Sequence, residues 1–211
     1  MMERPTPPQS LGFTLVELLI AIAVLAIVLT LAAPSFREMI QSQRLKSIAA
    51  QVVTDVQFAR AEAASRQRRV YITFGSSAEP IPMTCYVIHT CQSNNNSGCT
   101  CTCTNDGSSC TADPNDIEIK KVQVPTSLGV KVQLTASGAV TPNFVSFDPV
   151  TGGMPSLSVD PLTGATTWPD PVWIDASLTR ANPPVLRTRI PTSGRPSLCS
   201  TGAALAGFTP C

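Results

Sequence analysis

The chain has 211 residues, the length of one domain with room for an additional segment. Its 15 basic and 14 acidic residues leave a formal charge of +1, so the charge of the whole chain does not favour a nucleic acid or an acidic partner. Only 14% of the residues are charged and 5% are aromatic, which is typical of neither a disordered chain nor a cytosolic enzyme. His89 is the single histidine and would have to carry any His-based catalytic or metal-binding scheme, which argues against an enzyme.

A polar leader, residues 1–12, precedes a long apolar run. Residues 13–35 contain one charge, Glu17, and as a helix they are long enough to cross about 30 Å of hydrocarbon. A leader followed by an apolar run is also the pattern of a secretory signal peptide. However, the best small-residue cleavage site follows Ala33 and would place Pro34 first in the product. We therefore expect residues 13–35 to stay in the protein as a transmembrane helix.

The apolar spacing continues beyond Pro34 with a period close to 3.6, which predicts that residues 13–69 form one helix. Its first half is soluble in lipid and its second half is amphipathic. The residues that carry the period in the second half are Phe36, Met39, Ile40, Leu45, Ile48, Val52, Val53, Val56 and Ala59.

From residue 70 the pattern changes to short alternating runs separated by Pro and Gly clusters, which predicts an antiparallel β domain over residues 70–211 that packs on the exposed half of the helix. The fold class is therefore α+β. The predicted strands are residues 70–74, 84–90, 117–124, 130–134, 145–148, 172–175 and 185–190.

Residues 12–17 read GFTLVE and lead directly into the apolar run and Pro34. The glycine, the aromatic start, the Thr-Leu-x-Glu spacing and the following span together resemble the class III signal sequence of type IV pilins and type II secretion pseudopilins. The resemblance implies that a prepilin peptidase removes residues 1–12 by cutting between Gly12 and Phe13, and that it N-methylates Phe13. It also implies a single-pass protein of the bacterial inner membrane with a periplasmic globular domain.

The same resemblance assigns roles to two residues of the helix. An ionised carboxylate in hydrocarbon is costly unless it is paired, so Glu17 would meet the freed N-terminal amine of Phe13 on a neighbouring subunit. The alternative is that Glu17 snorkels to the lipid headgroups. Pro34 removes one helix hydrogen bond and would permit a kink or a melted stretch.

The order of the predicted elements is similar to that of the GspH/FimT group of minor pilins and pseudopilins. This similarity implies a type IV pilin-like fold, in which a long helix packs on an antiparallel sheet. It also implies that the partners are other pilins or pseudopilins, bound through the helix, and that the chain reaches a pilus or the cell surface after assembly. We expect neither a cofactor nor a catalytic activity.

Most of the cysteines lie in a polar insertion, residues 85–110, which cannot bury a core of its own and is expected to depend on disulfides. Cys99, Cys101 and Cys103 are too close together to pair with one another, so each is expected to reach another cysteine, and the sequence does not choose the pairing. A thiolate metal site is less favoured, because CxCxC lacks the paired CxxC spacing of structural zinc. The eight cysteines are Cys85, Cys91, Cys99, Cys101, Cys103, Cys110, Cys199 and Cys211, of which the last two would close a C-terminal loop.

The C-terminal tail, residues 180–211, holds four arginines and no acidic residue. Arg187 and Arg189 are two apart, so on a strand both leave the same face, and Gly194 permits a tight turn with Arg195 at its tip. Such a cluster is a candidate phosphate-binding surface. In the FimT branch a GRxR tail motif is linked to DNA binding for natural transformation, whereas this chain reads Gly194-Arg195-Pro-Ser. The tail has few aromatics, which disfavours base stacking.

The sequence leaves three functions open. The first is a minor type IV pilin, with DNA binding through the tail as a further hypothesis. The second is a type II secretion pseudopilin of the GspH type, and the third is a membrane-anchored periplasmic enzyme or metal-binding protein. The chain has no phosphate loop, HExxH helix or GxSxG elbow, so the third is the weakest. An alternative role for the tail arginines is to keep a strand soluble near an assembly interface.

Overall fold

The computed structural model describes residues 13–78, 81–91, 101–103, 110, 116–136, 143–154, 171–202 and 205–211, without the side chains of residues 31–35 and 136. These residues form one long helix followed by eight strands. The elements are α1 (Leu15–Arg66), β1 (Val70–Ser77), β2 (Met83–Thr90), β3 (Ile117–Pro125), β4 (Val130–Ala136), β5 (Phe144–Phe147), β6 (Val172–Leu178), β7 (Val185–Ile190) and β8 (Ser197–Thr201).

The helix is slightly shorter than the 13–69 predicted, and local hydrogen bonds explain both ends. The hydroxyl of Thr14 accepts a hydrogen bond of 3.2 Å from the backbone N–H of Glu17, so Thr14 caps the first turn. At the other end Gln67 adopts a positive φ of 53°. The N–H of Arg68 then bonds to the carbonyl of Ala63, which is the pattern of a Schellman stop.

The chain divides into two compact units, of which the first ends at Ile40. Every side chain from residue 13 to residue 30 is exposed, and most of these side chains are apolar. Among the described residues, no helix has both the length and the apolar character that crossing a membrane requires. The transmembrane span over residues 13–35 stays a prediction.

The second unit, Gln41–Cys211, contains the second half of the helix and all eight strands. The helix buries one face, and the spacing of three and four residues along it is that of an amphipathic helix. The buried helix residues are Leu45, Ala49, Val52, Val56, Ala59 and Ala63, and they share one core with buried residues of β1 to β7, to which β3 contributes Val124. A helix on antiparallel sheets is the α+β fold that the sequence predicted, and the prediction is confirmed.

The strands form two antiparallel sheets rather than one. Sheet I has the strand order β3-β2-β1-β5 and sheet II has the order β4-β6-β7-β8. Seven strands coincide with the predicted runs to within a few residues, and β7 matches at both ends. The eighth strand was not predicted, because its sequence SLCST lacks an apolar alternation.

A buried polar group connects the helix to sheet I. Asp55 of the helix is 2% exposed, and its carboxylate accepts a hydrogen bond of 2.7 Å from the hydroxyl of Tyr86 in β2. Lys120 of β3 forms an ion pair with the same carboxylate. Burial, with the hydrogen bond to Asp55 adding to it, raises the pKa of the Tyr86 hydroxyl above its ordinary value of 10.0. Tyr86 therefore stays a neutral donor.

Candidate functional site

The predicted processing site lies at the edge of the described chain. Gly12 lies outside the described residues, and Phe13 precedes the helix with 83% of its surface exposed. Glu17 lies exposed in the first helical turn, at the head of the apolar side chains. The helix continues through Pro34, whose side chain is not described. The cleavage, the methylation and the roles of Glu17 and Pro34 stay predictions.

The two arginines of β7 lie on one face of sheet II, as their spacing predicted, but they are not equivalent. Arg187 donates two hydrogen bonds of 2.8 Å to the carboxylate of Asp175 in β6. Its guanidinium also lies 4.5 Å from the ring centre of Trp173. The hydrogen bonds to Asp175 raise the pKa of Arg187. Because its donors are committed to Asp175, Arg187 is poorly placed to bind a phosphate.

Arg189 is exposed and is the available arginine of β7. Within the part of the chain that the structure describes, its side chain makes no hydrogen bond or ion pair. In register it lies opposite Trp173 of β6 on one side and Ser197 of β8 on the other. Its guanidinium can therefore meet an external anion.

Gly194 has a packing role that the sequence did not indicate. Its φ is +71°, and a Cβ built on it would clash with the carbonyl oxygen of Gly152. The same carbonyl accepts a hydrogen bond of 2.8 Å from Nε of Arg60 in the helix. The turn around Gly194 is thus pressed against the loop after β5, and Arg195 follows it as an exposed side chain.

A surface pocket lies beside Arg189, and the sequence analysis missed it. Trp173, Arg189, Leu198, Cys199, Pro210 and Cys211 line it, together with Pro171, Ser197 and Thr209. The sequence showed few aromatics in the tail itself, and the tryptophan of this pocket lies outside the tail. Trp173 comes from the neighbouring strand, so only the pairing of β6 with β7 brings it to the tail.

Three disulfides join described cysteines. They are Cys85–Cys103, Cys101–Cys110 and Cys199–Cys211. Cys101 and Cys103 thus pair with partners outside their own CxCxC run, and the last pair closes the C-terminal loop. Cys91 is disulfide-bonded as well, and Cys99 lies outside the described residues.

Three described cysteines of the insertion pack against β2. Cys85 and Val87 of β2 form a second buried cluster with Cys101, Cys103 and Cys110. A nitrogen of His89 and the sulfurs of Cys101 and Cys110 lie within 4.8 Å of one another, but these sulfurs are bonded to each other and cannot act as thiolate ligands.

His89 is a fully buried residue of β2. Its ring stacks on Tyr71 with 5.5 Å between ring centres, and its Nε2 lies 2.9 Å from the hydroxyl oxygen of Thr73. Burial lowers the pKa of His89 below 6.5, although a backbone hydrogen bond at Thr90 and the charge of Asp116 oppose this shift.

Two family models match the chain. The model of the prokaryotic N-terminal methylation motif matches residues 8–33, which include GFTLVE and most of the apolar run. The model of the type II transport protein GspH matches residues 49–186, about two thirds of the chain. The chain belongs to the GspH family. It is therefore a membrane-anchored protein of the type IV pilin and GspH-like pseudopilin class.

The GspH match ends one residue before Arg187. Arg187, Arg189 and Arg195 therefore lie beyond the matched region, and any role for them depends on their own geometry. Neither the curated proteins nor the solved structures gave a significant match.

Proposed function

We propose that this GspH-family protein is a minor type IV pilin, a structural subunit whose helix packs among the helices of other pilins. The observation that carries the proposal is the exposed apolar surface of residues 13–30, which holds one carboxylate, Glu17, in the first turn. An apolar surface of this length needs lipid or neighbouring helices to cover it. A buried carboxylate also needs a positive partner, and the amine of Phe13 on the next subunit supplies one.

Assembly is tested with Glu17→Ala in cells that make pili, by measuring the chain in sheared filaments and in membranes. We expect the variant to be lost from filaments while its amount in the membrane is unchanged. Glu38→Ala is the matched control, because it removes a carboxylate of the same helix outside the apolar run. Wild-type recovery of Glu17→Ala in filaments would overturn the proposed pairing.

We further propose that Arg189 and Arg195 bind DNA phosphates during uptake of DNA for transformation. Both are exposed, and neither makes an ion pair among the described residues. The tail around them carries no acidic side chain, and Asp175, the carboxylate on the neighbouring strand, is paired with Arg187. Arg187 supports the same surface indirectly, since it holds Trp173 and Asp175 in place.

DNA binding is tested with the full chain in detergent, titrated with DNA over a range of salt concentrations. We expect affinity to fall as salt rises, and each Arg→Ala change at 189 or 195 to reduce the salt slope by about one. Lys131→Ala is the matched control, because it removes one positive charge from the far edge of sheet II. Absence of binding at low salt would leave assembly alone as the function.

A further inference from the structure

The pocket beside Arg189 has a composition that suits one kind of ligand. Pro171, Leu198 and Pro210 give it apolar walls, Trp173 gives it an aromatic surface, and Arg189 places a cation at its side. Small-molecule sites typically combine such apolar walls with a few polar groups that fix orientation. The pocket therefore favours a ligand that has a flat ring at one end and a negative charge at the other.

Trp173 is held in place before any ligand arrives. Arg187 lies 4.5 Å from the centre of its ring, and Asp175 fixes Arg187 by two hydrogen bonds. Trp173 lines the pocket, whereas Arg187 is not among the lining residues. A ring that is already oriented loses less freedom on binding.

The C-terminal segment forms the opposite wall and is also fixed. The disulfide Cys199–Cys211 ties it to β8. The N–H of Ser200 bonds to the carbonyl of Thr209 at 2.8 Å, and the N–H of Cys211 bonds back to the carbonyl of Ser200 at 3.1 Å. A disulfide and two backbone hydrogen bonds thus hold this wall of the pocket in place.

We infer that this pocket takes one unstacked base of single-stranded DNA, which lies against Trp173 while Arg189 contacts the adjacent phosphate. The inference rests on the proposed DNA binding and adds to it a preference for single strands. Aromatic side chains bind single strands because every base has a π face, whereas duplex bases are stacked and paired. Directly opposite residues of paired strands are close enough for one nucleotide to reach both side chains.

The test compares three ligands on the full chain in detergent: a single-stranded oligonucleotide, the same sequence as a duplex, and a mononucleotide. The variant Trp168→Phe leaves Trp173 as the only tryptophan, so quenching of its fluorescence reports on the pocket. We expect the single strand to bind roughly tenfold more tightly than the duplex and to quench Trp173.

The substitutions separate stacking from phosphate binding. We expect Trp173→Leu to reduce single-strand affinity roughly tenfold and duplex affinity by much less. Trp173→Phe, which keeps an aromatic face, should retain an intermediate single-strand affinity. Arg189→Ala should weaken the binding of both the single strand and the duplex. The double variant Cys199→Ser with Cys211→Ser removes the disulfide that ties the C-terminal wall of the pocket to β8. It should reduce single-strand affinity as Trp173→Leu does.

The outcomes also separate this inference from the proposed function. Equal affinity for single strand and duplex, with no effect of Trp173→Leu, would overturn the inference while DNA binding stands. A mononucleotide that binds as tightly as the oligonucleotide would also overturn it, because the occupant would then be a free nucleotide. Failure of both DNA ligands to bind at low salt would overturn the inference and the proposed DNA binding together.

Discussion

Arg187 and Asp175 lie opposite each other on β7 and β6 and share two hydrogen bonds of 2.8 Å. Asp175 is 6% exposed, so removal of its partner would leave a buried carboxylate without its guanidinium. We expect Arg187→Ala to lower the free energy of unfolding by about 2 kcal/mol. Chemical denaturation measures this loss.

The same variant tests whether Arg187 and Arg189 have different roles on β7. At fixed salt, DNA affinity should fall less in Arg187→Ala than in Arg189→Ala, because Arg187 is committed to Asp175. Arg187→Lys keeps the charge but not the two parallel bonds, and should recover only part of the stability. The account of β7 is wrong if Arg187→Ala is as stable as wild type and loses more DNA affinity than Arg189→Ala.

Gly194→Ala tests the packing of the tail turn on the loop after β5. The added Cβ would clash with the carbonyl oxygen of Gly152, and the φ of +71° is strained for alanine. We expect a loss of about 3 kcal/mol in the free energy of unfolding. Gly207→Ala is the control, since Gly207 has a positive φ but no atom within 4 Å of the added Cβ, and it should lose about 1 kcal/mol. Equal losses in the two variants would show that close packing at Gly194 contributes nothing.

Tyr86→Phe tests the buried polar group between the helix and sheet I. It removes the donor of the 2.7 Å hydrogen bond to Asp55, whose carboxylate is buried. We expect a loss of about 2 kcal/mol in the free energy of unfolding, because one carboxylate oxygen loses its partner. Tyr71→Phe makes the same chemical change on β1, where the hydroxyl has no hydrogen bond to any described residue, and it should have little effect. Similar losses in both variants would contradict the role of Asp55.

The lowered pKa of His89 predicts how the free energy of unfolding depends on pH. Burial lowers the pKa of His89 below 6.5 in the folded protein, so the unfolded chain binds a proton more readily. Its contribution to stability is complete above pH 6.5 and is lost as the pH falls from 6.5 towards the lower pKa of the folded state. Denaturation of wild type and His89→Gln across this range measures the effect. The variant should lose this part of the pH dependence, and parallel curves would refute the assignment to His89.

The regular elements could be predicted because they depend on local periodicity. Of the apolar positions that repeat at helical spacing from Leu45 to Ala59, the fold buries four, namely Leu45, Val52, Val56 and Ala59, and leaves Ile48 and Val53 partly buried. The strands that bury one face carry a visible alternation, whereas β8 does not. Its strand conformation depends on its pairing with β7 and on the Cys199–Cys211 disulfide, neither of which is a local property.

The candidate site was predicted less well, because it depends on which strands are neighbours. The alternation of β7 placed Arg187 and Arg189 on one face, but it could not show that Asp175 and Trp173 lie opposite them. Gly194 was interpreted through a short motif, whereas its need for glycine comes from Gly152, 42 positions earlier in the chain. Contacts of this range follow from register between strands, which periodicity does not determine.

The central claim, that this GspH-family chain is processed and assembled as a pilin, is tested most directly by the mass of the mature protein. The chain is produced together with a prepilin peptidase, and its intact mass is compared with that of Gly12→Ala. We predict a wild-type product that begins at Phe13 and carries one added methyl group, while Gly12→Ala keeps residues 1–12. A wild-type product that retains the leader, or one cut after Ala33, would contradict the account.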